Sequence, residues 1–170
     1  NLTINNSYVM GTHSGVENRG TLYVDGGIYE GFGHGGIYFA GSGTTSYVSN
    51  ATIRECDMPE GYTQNAGDNN AGFYIGGNAD SSYIKVYMDN NDIYGSSQPI
   101  VFRGTSGEQY NELYISNSTI NTDGQIKIDN DTHKLYIGAG NNFTAANTNL
   151  PSAVEPTTDV YTRENVENKW

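Results

Sequence analysis

Six stretches of this chain carry one short pattern, in which an apolar residue is followed by a polar turn and a second apolar residue four to six places on. They open with Leu2-Thr3-Ile4, Leu22-Tyr23-Val24, Ser46-Tyr47-Val48, Val86-Tyr87-Met88, Leu113-Tyr114-Ile115 and Leu135-Tyr136-Ile137. Between Ile4, Val24, Val48, Met88, Ile115 and Ile137 the steps are 20, 24, 40, 27 and 22 residues. A second family falls between them: Ile37-Tyr38-Phe39, Phe73-Tyr74-Ile75, Ile100-Val101-Phe102 and Ile126-Lys127-Ile128. Apolar and variable positions alternate in both, so each stretch reads as a short strand with one buried face. The same strands in the same order at each step describe one coil of a parallel β-solenoid. A flat sandwich would show short strands without that fixed order. The expectation is an all-β solenoid of about five to six coils over residues 1–143, followed by a non-repeating tail, 144–170.

The corners fit this register. Two places after each mark stand Asn6, Gly26, Asn50, Asn90, Asn117 and Ala139. Asn and Gly best tolerate the left-handed backbone of a sharp corner, and stacked asparagines can bond along the axis as a ladder. Composition agrees: 22 glycines and 21 asparagines in 170 residues supply turns, and 14 of the 20 aromatic residues are tyrosine. One place before the marks lie Tyr23, Tyr47, Tyr87, Tyr114 and Tyr136, whose neighbours must point inward, so these five form an outer stripe. Such a stripe suits a subunit interface or a stacking platform for sugars. Tyr38 and Tyr74 form a shorter one.

Eight basic residues against 19 acidic ones give a net charge of −11, which disfavours nucleic acid and anionic membranes as partners. No apolar run is long enough to span a bilayer, so no membrane insertion is expected. Cys56 is the one cysteine, which excludes an internal disulfide and any multi-cysteine metal site. The chain opens at Asn1 and shows no signal peptide; it reads as a processed or excised piece of something longer.

The pairing of an N-x-x-I turn strand with a following G-I-x-h strand resembles the right-handed parallel β-helix superfamily. That superfamily includes pectate lyases, polygalacturonases and the tailspike or tail-fibre proteins of bacteriophages. The resemblance implies a right-handed helix whose outer groove binds polysaccharide. Richness in Tyr, Asn and Gly and the irregular tail make the chain most similar to a phage tailspike or tail-fibre segment. What this implies is a receptor-binding or shaft segment, homotrimeric, on the virion surface or otherwise extracellular, contacting cell-surface polysaccharide. The alternatives are a polysaccharide-degrading lyase or glycoside hydrolase, and a bacterial adhesin or structural protein. Gly33-His34-Gly35 matches part of the polygalacturonase signature, but the acidic pairs that family carries on upstream coils are missing.

The step of 40 holds an insertion within residues 55–70. Long loops on a solenoid are common sites of binding. This one carries Asp57, Tyr62, Asp68 and Asn69, which with Tyr38 and Tyr74 would suit a hydroxyl-rich sugar; its carboxylates would also suit calcium. Asp25, Glu30 and His34 lie on the coil before it, and with Arg54 and Asp57 they are the candidate acid, base and cation of a catalytic site. In the tail, Leu150, Val154, Val160, Tyr161 and Trp170 are apolar candidates for a cap or a subunit contact.

Overall fold

The computed structural model describes residues 1–11, 13–31, 33–56, 71–76, 83–96, 98–103, 110–121, 124, 126–128, 132–144 and 154–167. Its strands are β1 (Leu2–Met10), β2 (Ser14–Asn18), β3 (Leu22–Glu30), β4 (Gly35–Phe39), β5 (Thr44–Ser49), β6 (Thr52–Arg54), β7 (Ala71–Ile75) and β8 (Tyr83–Asp89). There follow β9 (Asp92–Tyr94), β10 (Gln98–Phe102), β11 (Tyr110–Ser116), β12 (Thr119–Asn121), β13 (Lys127–Ile128), β14 (Lys134–Ile137), β15 (Asn142–Thr144) and β16 (Val154–Pro156), then one short helix, α1 (Arg163–Glu167).

Every strand pairing among the described residues is parallel. One sheet begins at β1 and β3 and then forks: β5, β8, β11, β14 and β16 continue one branch, while β6, β9, β12 and β15 continue the other. The second sheet stacks β2, β4, β7, β10 and β13. The chain therefore visits the same faces in the same order and returns each time one rung further along. These curled parallel sheets are compatible with a solenoid-like fold.

Register places like side chains on like. Val24, Val48, Met88, Ile115 and Ile137 form one interior row, and Tyr29, Ile53, Ile93 and Ile120 form a second. Ile37, Phe73 and Ile100 form a third across the other sheet. These residues share one buried core, and most of them have no exposed surface. Strand β2 was not legible in the sequence because Val16 is its only large apolar residue, yet it pairs with β4 as the first rung of its sheet.

Fork and corner have the same origin. Asn6, Asn50, Asn90 and Asn117 all adopt positive φ, between 44° and 57°. In β1 and β3 the strand bends through Asn6 or Gly26 without a break, whereas later rungs divide there into two short strands. On the last rung the left-handed residue is Gly140, with φ 76°, and not Ala139. The register Ile115↔Ile137 and Thr119↔Asn142 shows one extra residue in this corner, which moves the turn along by one.

The tail does more than close an end. Strand β16 adds a rung beyond β14, and the chain then crosses the outer face of the sheet, where Tyr161 and Val166 pack on Tyr23, Tyr47, Tyr87, Tyr114 and Tyr136. Two backbone contacts seat it: Ala139 N donates to Asp159 O at 2.8 Å, and Tyr161 N donates to Ser116 Oγ at 2.8 Å. Close approach depends on Gly138, where a Cβ would fall 2.3 Å from Asp159 O and 2.7 Å from Tyr161 Cε2. Gly138→Ala is therefore expected to lift the tail and leave the rungs intact. Hydrogen exchange of residues 157–167 should accelerate by about tenfold or more, an opening free energy lower by at least about 1.4 kcal/mol, while β8 and β11 keep their protection.

Candidate functional site

A period-2 strand leaves alternate side chains on the outer face, and parallel in-register pairing then stacks identical residues one rung apart. The outer tyrosines do this. Ring centroids are 5.3 Å apart for Tyr23–Tyr47, 5.6 Å for Tyr47–Tyr87, 4.8 Å for Tyr87–Tyr114 and 4.4 Å for Tyr114–Tyr136, with planes within 25° of parallel. Tyr161 meets Tyr114 edge-on and tilts against Tyr87. The tail thus covers the middle of the stripe. At the N-terminal end, where Thr3 takes the tyrosine position on the first rung, the sheet and the tail part to form a cleft.

This cleft has a volume of about 290 Å³. Tyr23 and Tyr47 form its aromatic side, Thr162 and Glu164 its tail side, and Asp25, Asn50 and Asp89 belong to the polar row along the corner. That row is tightly organised. Asn50 Nδ2 donates to Asp25 Oδ1 at 2.6 Å, Asn90 Nδ2 to Asn50 Oδ1 at 2.8 Å, and Asn117 Nδ2 to Asp89 Oδ1 at 2.7 Å. Ser49 and Ser116 hydroxyls donate to the same two aspartate oxygens. The carboxylates are held in place through one oxygen each, so their orientation is set before any ligand arrives.

The other candidates occupy separate places. Glu30 and Arg54, one rung apart, form an ion pair beyond the corner, flanked by the Tyr8 hydroxyl, which donates to Glu30, and by Tyr94. The Tyr8 hydrogen bond and the Arg54 guanidinium hold the Glu30 carboxyl below its ordinary range. His34 belongs to the second sheet's end, stacked on His13 at 5.0 Å and tilted against Tyr38 and Tyr74. Tyr38 and Tyr74 meet edge to face in a small buried cluster, and neither lines the cleft. No hydrogen bond or ion pair described among these residues joins Asp25 to Glu30, His34 or Arg54. Asp57, Tyr62, Asp68 and Asn69 lie outside the described residues. Among the described residues no three His, Cys, Asp or Glu side chains gather as a cation site.

Sequence reasoning missed a second polar cluster on the same outer face. Glu112, 6% exposed, accepts from the hydroxyls of Tyr110 at 2.6 Å and Tyr114 at 2.9 Å and pairs with Lys85 Nζ at 3.2 Å. Burial pushes its carboxyl up, but these hydrogen bonds and the lysine outweigh it, and the net shift is downward. Lys85 lies over the rings of Tyr83 and Tyr114 and is held above its ordinary range despite its burial. The available signal was the residue two places before each outer tyrosine, lysine at 85 and glutamate at 112, which parallel register sets side by side.

Fold and cleft together define an all-β, parallel, solenoid-like protein with a lateral polar cleft roofed by its own tail. Comparison with family models, curated proteins and solved structures returns no match. No helix among the described residues is long and apolar enough to cross a membrane.

Proposed function

We propose that this chain is a glycan-contacting segment of a right-handed parallel β-helix, of the tailspike or tail-fibre kind, and that the Tyr23–Tyr47 cleft is where it meets cell-surface polysaccharide. The observation that carries this reading is the composition of the cleft: stacked tyrosines on one side and fixed carboxylate, amide and hydroxyl groups around them. Sugars present apolar C–H faces and rings of hydroxyls, and sites that bind them combine aromatic surface with oriented polar groups. A pocket of this volume accepts one or two sugar units, with the remaining glycan running over the outer face. Virion-surface location and a homotrimer belong to the same reading, as does binding without turnover. Among the candidate catalytic residues described, only Glu30 and Arg54 come together, and their charges are already spent on one another.

The test is retention of the protein on an array of bacterial surface polysaccharides, repeated with Tyr23→Ala and with Tyr83→Ala as a control on the same sheet outside the cleft. Tyr23→Ala is expected to weaken the retained glycan by about tenfold or more, equivalent to about 1.4 kcal/mol, and the control to leave it unchanged. Equal retention of wild type and Tyr23→Ala, or no retention at all, would overturn the assignment.

A further inference from the structure

The residues around the cleft carry a strong bias of sign. Asp25, Asp89 and Glu164 supply three carboxylates, while no lysine, arginine or histidine is found among its described lining residues. Asp25 and Asp89 each commit Oδ1 to the corner ladder, where it accepts from an asparagine and a serine. Their second oxygens make no hydrogen bond to a described residue. The nearest lysine on this face, Lys85, is engaged with Glu112. The chain as a whole, at −11, adds a negative field of its own.

From this geometry we infer that the cleft selects cationic saccharides: oligomers of hexosamine whose amines are free and protonated. The inference rests on the reading of the cleft as a glycan site. An ammonium group beside Tyr23, the outermost ring of the stack, meets the negative face of that ring and the second carboxylate oxygen of Asp25 or Asp89. A uronic acid in the same place would set its carboxylate against those of Asp25 and Asp89 in a partly enclosed space, where screening by water is reduced. A neutral N-acetylated sugar would keep the stacking and lose the charge term. The order expected is therefore cationic, then neutral, then acidic.

Isothermal titration at low salt and mildly acidic pH tests this with three tetrasaccharides: fully deacetylated glucosamine, its N-acetylated counterpart and galacturonate. The deacetylated form is expected to bind about tenfold tighter than the N-acetylated one, with galacturonate weakest. The double variant Asp25→Asn, Asp89→Asn keeps an acceptor for Asn50 and Asn117, so the ladder survives. It is expected to reduce the tenfold preference to about twofold or less. A control pair, Glu17→Gln with Asp92→Asn, removes two charges elsewhere and should leave the preference in place, which separates the cleft from the general field of the chain. Neutral and cationic tetrasaccharides bound equally, galacturonate bound best, or a preference lost equally in the control pair would each sink the inference and leave the glycan site standing. Binding of none of the three would remove both.

Discussion

Glu112→Ala is expected to lower stability by about 3 kcal/mol, seen as a fall of roughly 6–12 °C in the midpoint of thermal unfolding. The size follows from what is stranded. Lys85 keeps its charge in a site where its side chain is 20% exposed, and the hydroxyls of Tyr83, Tyr110 and Tyr114 lose a common acceptor. Glu112→Gln keeps an acceptor oxygen and should cost distinctly less. Lys85→Met combined with Glu112→Leu should recover part of the loss, because a buried pair replaced by apolar groups leaves no charge unpartnered. The pH dependence has a definite sign. Glu112 is lowered in the folded chain, so its contribution is complete above the ordinary glutamate value and disappears as pH falls through the lowered one. Lys85 is raised, so its contribution is complete below the ordinary lysine value and disappears as pH climbs through the raised one. Wild type should therefore lose stability in acid more steeply than Glu112→Gln. Parallel acid limbs would show that the carboxylate is not what holds this cluster.

The contrast between this cluster and the tyrosine stripe shows what a repeat makes legible. Marks spaced by 20–27 residues, with one step of 40, located the rungs, the left-handed asparagines and the outer tyrosines, because each is a local consequence of period-2 alternation and one corner. Two kinds of information escaped it. The first is what lies across the sheet: Lys85 beside Glu112 follows from register, but its burial depends on how neighbouring rings fold over it. The second is the tail, whose Tyr161 and Val166 have no repeat to place them and whose seat is prepared by Gly138 far from them in sequence. Of the candidate catalytic residues, Glu30 and Arg54 come together and Asp57 lies outside the described residues, while Asp25 and Glu30 are separated for a related reason. Asp25 and Glu30 share strand β3 but stand on opposite sides of the Gly26 corner, and sequence proximity across a corner does not bring side chains together.

The polar residues of the interior carry the second large effect. Asn91, 1% exposed, accepts from Ala51 N at 3.0 Å through Oδ1 and donates from Nδ2 to Val48 O at 3.0 Å. Its own N–H donates in turn to Ser118 Oγ, and Ser118 N donates to Asn141 Oδ1. From Asn91 onward each corner thus satisfies the backbone of the corner before it, which the short strands on either side do not do for these groups. Asn91→Ala would take from the buried Ala51 N–H the acceptor described for it and remove a donor from Val48 O, at about 1–3 kcal/mol. Asn91→Ser should cost less than half of that, because the next corner already works with serine: Ser118 Oγ donates to Ser116 O at 2.8 Å while accepting from Asn91 N. The neighbouring Asn90 is exposed and left-handed, so Asn90→Gly should change stability by no more than about 0.5 kcal/mol. Urea unfolding of the three variants separates the two roles of adjacent asparagines. If Asn91→Ala proved no worse than Asn90→Gly, the interior ladder would be a consequence of the fold and not one of its supports. The expected order, with serine in between, would make the interior polar residue, three places after the mark at Asn91 and at Ser118, the one that determines where these rungs turn.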